Sequence, residues 1–140
     1  MSQDFRKACS LGDLEKMKQL LADGADIDFT RYNSTALHSA SSSGSLKVLR
    51  FLIQNGASLD LLDDSGCTAL MIACNRGKKI GGRMAMTLLD AGADATYVRK
   101  DGMSALKFAL WGACSDEVLQ ALIDAGAELP DKDFKIIRVR

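Results

Sequence analysis

The side chains that most often carry chemistry are scarce in this chain, and they are not grouped as an active site requires. The chain has four cysteines and one histidine, His38. A structural zinc site takes four such ligands, and ligands encoded close together in sequence come as pairs such as CxxC. No such pair occurs among Cys9, Cys67, Cys74 and Cys114. The sequence therefore predicts no metal site and no cofactor.

Two patterns that resemble catalytic motifs have the wrong context or the wrong order. His38 could serve as a general base, but no Ser/His/Asp constellation is recognisable around it. Residues 77–82, Gly-Lys-Lys-Ile-Gly-Gly, combine glycine with lysine, yet a phosphate-binding loop needs the order GxxxxGK[ST]. A catalytic pocket would instead have to be assembled from Asp63, Asp64, Asp101, Lys100 and His38. We therefore expect a protein that is not an enzyme.

Composition bounds the remaining classes. The chain has 140 residues, 18 basic and 18 acidic side chains and 47% hydrophobic content, which suits one domain with its own core. A net charge of zero gives little support for binding to nucleic acid or to a membrane surface. No apolar run approaches the roughly 18 residues of a membrane span, and no secretory signal opens the chain. We expect a cytoplasmic protein with free thiols.

A repeated phrase dominates the sequence. Residues 20–26, 52–58, 88–94 and 122–128 all have an apolar pair followed by a Gly-Ala dipeptide. The shared glycines stand at positions 24, 56, 92 and 126, so the intervals are 32, 36 and 34 residues. A period near 33 is typical of a solenoid built from stacked repeats.

A second phrase predicts where the helices of each repeat begin and end. Thr35, Thr68 and Ser104 each precede an Ala-Leu stretch, and a hydroxyl in that position accepts a bond from a free amide of the first helical turn. Gly44 and Gly77 follow nine residues after the two threonines, where a left-handed residue ends a short helix. A second helix then runs to the Gly-Ala phrase.

These phrases resemble the ankyrin repeat, over about residues 3 to 129. The family's Thr-Pro-Leu-His motif appears as Thr-Ala-Leu-His at residues 35–38, with Ala in place of Pro in every copy. The resemblance implies an all-α solenoid of four helix-pair repeats with short β-hairpin loops, in which His38 forms hydrogen bonds within its repeat. The expected boundaries are 3–29, 30–62, 63–98 and 99–129, followed by a tail at 130–140. Gly66, Gly102 and Asn33 fall at the hairpin turns.

Departures from the repeat carry further expectations. The third repeat has three extra residues within 77–83, which we expect to form a mobile, solvated basic loop, with contact to an acidic partner as the alternative. Ile80 is either tucked beneath this loop or offered to a partner. Ser115 is expected to cap the last helix. Cys9 and Cys74 occupy a small slot and are expected in the core, whereas Cys67 is the cysteine expected to be most exposed.

Members of this family bind partners through the hairpin tips and the concave face of the first helices, and the resemblance implies the same surface here. The hairpin positions carried over are Arg31, Tyr32, Ser34, Asp64, Ser65, Cys67, Lys100, Asp101 and Met103. The helix positions are Ser10, Leu11, Ser42, Ser43, Asn75, Arg76, Trp111 and Gly112. Tyr32, Met103 and Trp111 have the size and pliability of interface anchors. The alternative for Trp111 is packing beneath the displaced loop of the fourth repeat.

The predicted function is a monomeric protein-protein interaction module that inhibits or scaffolds one partner. The tail at 130–140 has two interpretations: it covers the open end of the stack, or it forms an edge strand that pairs with a partner or a second copy. A self-associating structural protein is therefore the alternative function. The interaction module could be a eukaryotic regulator or a bacterial toxin-neutralising protein, and no residue favours one over the other.

Overall fold

A computed structural model describes residues 2–128, with Lys78 described by its backbone alone. Within this range the chain forms helices joined by tight turns and two isolated β-bridges, and no β-strand. The helices are α1 (Ser2–Leu11), α2 (Leu14–Ala22), α3 (Ala36–Ser43), α4 (Leu46–Gln54), α5 (Ala69–Arg76), α6 (Lys78–Asp90), α7 (Ala105–Trp111) and α8 (Asp116–Asp124). The all-α solenoid class is confirmed, and the tail at 130–140 lies outside the described residues.

Side-chain caps start the helices where the hydroxyl pattern predicts. Thr35, Thr68, Ser104 and Ser115 each accept a hydrogen bond from the backbone N–H three residues on. Each bond satisfies an amide that the first turn leaves without an intrahelical partner. At its other end α3 stops at Gly44, whose φ of 79° and ψ of 22° are left-handed, as expected.

The helices pack as two layers. The first helices of the pairs contact one another in order, α1 to α3, α3 to α5 and α5 to α7, and we call their exposed side together with the hairpins the inner face. In the second layer α6 contacts both α4 and α8. Apolar side chains from both layers meet in one continuous core, and Phe5, Leu49, Leu70, Leu88 and Leu122 are among its fully buried members. Cys9 and Cys74 belong to this core, as expected.

Polar side chains join consecutive repeats at the surface. The Asp28 carboxylate accepts bonds from the backbone N–H and the hydroxyl of Ser58, at 2.9 and 2.7 Å. Asp60 accepts in the same way from the backbone N–H of Asp94, at 2.9 Å. These bonds connect positions 30 and 34 residues apart. They fix the stagger between repeats because a buried apolar interface alone is not directional.

The expectation of a mobile loop at 77–83 is wrong. Gly77, with φ 62° and ψ −168°, alone separates α5 from α6, and the inserted residues lengthen α6 to 13 residues where α2, α4 and α8 have nine. Gly81 and Gly82 are buried within α6. A Cβ on Gly81 would lie 2.5 Å from the Ala73 carbonyl oxygen, so the missing side chain is what allows the added turn to approach α5. Ile80 is half-buried against the core.

Candidate protein-binding surface

The hairpin of the second repeat is the tightest in the described chain. Arg31 and Ser34 exchange backbone hydrogen bonds of 3.1 and 3.0 Å, which leaves two residues in the turn. Tyr32 and Asn33 have φ values of 53° and 60°, as a type I′ turn requires. The left-handed conformation expected at Asn33 is confirmed. It is costly for a bulky residue such as Tyr32.

The side chain of Tyr32 is 76% exposed at this turn. The guanidinium carbon of Arg31 lies 5.6 Å from the centre of its ring, within the range of a cation–π contact. Arg31 is itself exposed, and Ser34 is half-buried with its carbonyl accepting a bond from Arg6. The two hairpin residues therefore present an aromatic ring and a positive charge to solvent.

The hairpins of the third and fourth repeats have one residue more. Asp63 pairs with Cys67 at 3.0 Å, and Arg99 pairs with Met103 at 2.8 Å. Their tips, Asp64, Ser65, Lys100 and Asp101, are exposed. Neighbouring tips are linked, because the Asn33 amide donates to the Asp64 carboxylate at 2.8 Å.

Cys67 does not have the surface position expected of it, although it and Cys9 are the least buried of the four cysteines. Its side chain is 7% exposed, and its sulfur accepts a bond of 3.1 Å from the guanidinium of Arg99 in the next repeat. Arg99 also donates to Asp101, and this bond lowers the pKa of the Asp101 carboxyl. Met103 is half-buried behind the same hairpin. Cys67 therefore positions the hairpin and is not part of the exposed surface.

His38 forms hydrogen bonds within its own repeat, as the resemblance implies, and also one to the next repeat. Its Nδ1 accepts from the backbone N–H of Thr35 at 3.1 Å, so the ring proton is assigned to Nε2. Nε2 then donates to the carbonyl oxygens of Leu61 and Cys67, at 2.9 and 3.2 Å. The imidazole thus joins the start of α3 to the following hairpin, and both nitrogens are occupied.

The last residues of the first helices form a row along the inner face. Leu11, Ser43, Arg76 and Trp111 end α1, α3, α5 and α7, and all four are exposed. Trp111 is 73% exposed and touches Phe108 edge-on, with ring centres 6.5 Å apart, so it does not pack beneath the fourth-repeat loop. The guanidinium of Arg76 donates to the carbonyl of Ser42 at 2.8 Å.

Two shallow cavities lie between the ends of this row and the hairpins. One, of about 370 Å³, is lined by Gln3, Asp4, Arg6, Lys7, Ser10 and Arg31. The other, of about 340 Å³, is lined by Ser34, His38, Ser39, Ser42, Ser43, Asp63 and Ile72. Small hydroxyl side chains dominate the second cavity, so the middle of the inner face is open and polar.

Neither a metal-holding cluster nor a membrane-spanning helix is found in the described part of the chain. Among residues 2–128, no group of three or more His, Cys, Asp or Glu side chains is placed to hold a metal ion. None of the helices in the same range combines the length and the apolar character needed to cross a bilayer.

Comparison with known proteins identifies the repeat. A family model described as ankyrin repeats in many copies matches residues 5–53 and 37–80, and a model of the single ankyrin repeat matches residues 65–100. Together the matches cover residues 5–100, which correspond to the first three of the four expected repeats.

Similar proteins include an L-asparaginase of Dirofilaria immitis, which is 33% identical over 129 residues, 91% of this chain and 21% of that protein. A probable E3 ubiquitin-protein ligase of rice, XBOS31, is 32% identical over 131 residues, 89% of this chain and 28% of that protein. An ankyrin repeat and KH domain-containing protein of Caenorhabditis elegans, mask-1, is 29% identical over 105 residues, 74% of this chain and 4% of that protein. The chain therefore spans less than a third of each of these relatives.

Proposed function

The chain belongs to the ankyrin repeat family, and on that premise we propose that it binds one protein partner through the inner face and thereby inhibits or scaffolds it. Ankyrin repeats indicate a protein-protein interaction module, and the fold is generally not enzymatic. We further propose that the protein is a cytoplasmic monomer and that it binds neither nucleic acid nor membranes. Cys9, Cys67 and Cys74 are buried thiols that form no disulfide, which supports a reducing compartment.

The position of the exposed apolar side chains carries the proposal. The large hydrophobic residues left exposed in residues 2–128 are Leu11, Tyr32, Leu61, Leu62, Val98 and Trp111. All of them lie on first helices, on hairpins or on the segments leading into hairpins, and none lies on α2, α4, α6 or α8. Exposed apolar groups gathered on one side of a folded protein mark a contact surface.

The backbone of Tyr32 gives separate support. A left-handed tyrosine costs about 1–2 kcal/mol, and Asn or Gly would occupy the same turn without that cost. Strain of this kind is retained where the side chain has a task. An exposed aromatic ring has no packing task in the monomer, so partner contact is the role that accounts for it.

The spacing of the anchors suggests the size of the contact. Leu11 and Trp111 end helices that are three helix-to-helix steps apart, which at 8–10 Å a step is roughly 24–30 Å. A partner helix of about 16–20 residues spans that distance. Between the two anchors the serine-lined cavity lets a bulky partner side chain approach closely.

The test measures affinity for a partner captured with the full chain as bait and then purified. Trp111→Ala removes one exposed aromatic side chain, and Tyr32→Asn removes a second while keeping the left-handed turn. We expect each to weaken binding by about 2 kcal/mol, which is about thirtyfold in Kd. Lys18→Ala, at an exposed position of α2, is the matched control and should bind as the unaltered protein does.

Thermal unfolding of the same variants separates binding from folding. Neither Trp111 nor Tyr32 packs in the core, so melting temperatures should be unchanged, or slightly higher for Tyr32→Asn. Folded variants that bind as tightly as the unaltered protein would refute the inner face as the interface. Assaying the captured partner with and without this protein then distinguishes inhibition from scaffolding, and light scattering of the full chain checks the monomeric state.

A further inference from the structure

A cavity larger than the two on the inner face lies on the other layer of the molecule. It has a volume of about 650 Å³ and runs along the exposed side of α6, between Arg50 of α4 and the start of α8. Residues of the inner face do not line it. We call it the outer groove.

The outer groove is a product of the inserted turn. Lys79 and Gly82, which line it, belong to the part of α6 lengthened by the extra residues. A Cβ on Gly82 would lie 3.3 Å from Cγ2 of Val118, so this glycine lets α6 and α8 approach closely at the base of the groove. Ala113 and Ser115, from the turn before α8, close one side.

The groove follows the length of α6. The α6 residues that line it include Lys79, Arg83, Met86 and Asp90, whose spacing of three or four puts them on one side of the helix, with Thr87 beside Met86. From the first to the last of these residues the helix rises about 16 Å. An extended peptide covers that length with about five residues, whereas a single phosphate group would fill a small part of it.

Charge and apolar surface are arranged along this length. Arg50, Lys79 and Arg83 are exposed, and none of the three forms an ion pair with another residue in the range 2–128. Two carboxylates, Asp90 and Glu117, also line the groove, which leaves cations in excess.

Between the charged side chains, Met86 and Val118 provide an apolar floor. Met86 is half-buried and Val118 is buried, so both are held in place. A ligand that contacts both the cations and the apolar floor carries carboxylates beside an apolar side chain.

We infer that the outer groove is a second recognition site, which binds a short, extended, acidic segment of a protein. Carboxylates of the segment pair with Arg50, Lys79 and Arg83, and an apolar side chain between them rests on Met86 and Val118. Because this site is separate from the inner face, the molecule holds two protein surfaces at once, which favours scaffolding over inhibition.

The test uses the full chain and a fluorescein-labelled pentapeptide, Glu-Leu-Glu-Leu-Glu, with Gln-Leu-Gln-Leu-Gln as its uncharged match. We expect the acidic peptide to bind, the neutral one to bind at least tenfold more weakly, and affinity to fall as salt rises. In amide NMR spectra the acidic peptide should shift the signals of Lys79, Arg83, Ala113 and Val118.

Paired charge reversals locate the binding. Lys79→Glu combined with Arg83→Glu should weaken the peptide at least tenfold. The control combines Lys16→Glu with Lys18→Glu, two exposed positions of α2 that carry the same charge change away from the groove, and should stay within twofold. Circular dichroism checks that both variants are folded.

Three results would overturn the inference: equal binding of the two peptides, NMR shifts confined to the inner face, or displacement of the peptide by inorganic phosphate at matched ionic strength, which would assign a small-anion site instead. Trp111→Ala should leave peptide binding unchanged. Failure of the outer groove is therefore distinguishable from failure of the inner face.

Discussion

Gly77 lies against the backbone of Gly112 in the next repeat, and replacing it with alanine tests how the inserted turn is held. Its φ of 62° and ψ of −168° belong to a region that only glycine enters readily. A Cβ there would lie 1.9 Å from the carbonyl oxygen of Gly112, 2.7 Å from its carbon and 2.9 Å from its Cα. These are backbone atoms, so no side-chain rotation relieves the overlap.

The expected loss of stability has two parts. The disallowed conformation costs about 1–3 kcal/mol, and pushing α7 away from α5 costs about 1–3 kcal/mol more, as overpacking does. We expect Gly77→Ala to lower the free energy of unfolding by about 4 kcal/mol, with a fall in Tm on the order of 10 °C.

Gly56→Ala is the matched control for the conformational part. Its φ of 85° is also left-handed, but an added Cβ would meet nothing within 4 Å, so its cost should be about 1–2 kcal/mol. Urea denaturation followed by far-UV circular dichroism gives both values, and amide exchange should be faster in α7 and α8 of Gly77→Ala alone. Equal losses for the two variants would refute the contact with Gly112 as the cause.

Two further predictions concern buried polar groups. His38→Met places at this position the residue that the third repeat has as Met71, and it removes every hydrogen bond of the ring. Urea denaturation should show that the free energy of unfolding falls by about 2–4 kcal/mol. A fall below about 0.5 kcal/mol would contradict the hydrogen bonds described. Burial raises the pKa of the Cys9 thiol from 9.0 to about 11, so the folded state keeps this proton after the unfolded state has lost it. The stability this provides is present below pH 9.0 and is lost as pH rises through about 11. Cys9→Ala should therefore lose less stability across that window in pH-dependent melts, whereas parallel profiles would argue against a buried thiol.

Local signals in the sequence predicted the fold well because each acts over a few residues. Thr35 and Thr68 bind amides three positions away, and the turn at Asn33 depends on its own φ. The interior position of Cys9 followed from its place in the repeat. Each of these features needs only the nearest turn of chain, which is why a single repeat unit is enough to predict it.

Features that depend on another repeat were predicted poorly. Cys67 was expected at the surface because it stands beside a hairpin tip, and it is buried because Arg99, 32 residues later, folds over it. Nothing in the sequence indicated that the carboxylates of Asp28 and Asp60 bind backbone groups of the following repeat. Arg50 belongs to no motif that the sequence analysis identified, although it lines the outer groove.

The amino-acid sequence by itself determined the number of repeats, the ends of most helices and the family, because periodic glycines and hydroxyl caps act locally. Only the tertiary structure decided the conformation of residues 77–83. Glycine and lysine there suggest a loop when only local preference is weighed. In the folded chain the missing Cβ atoms of Gly81 and Gly82 let an extra helical turn pack against α5 and α8, and that packing outweighs the low helix propensity of glycine.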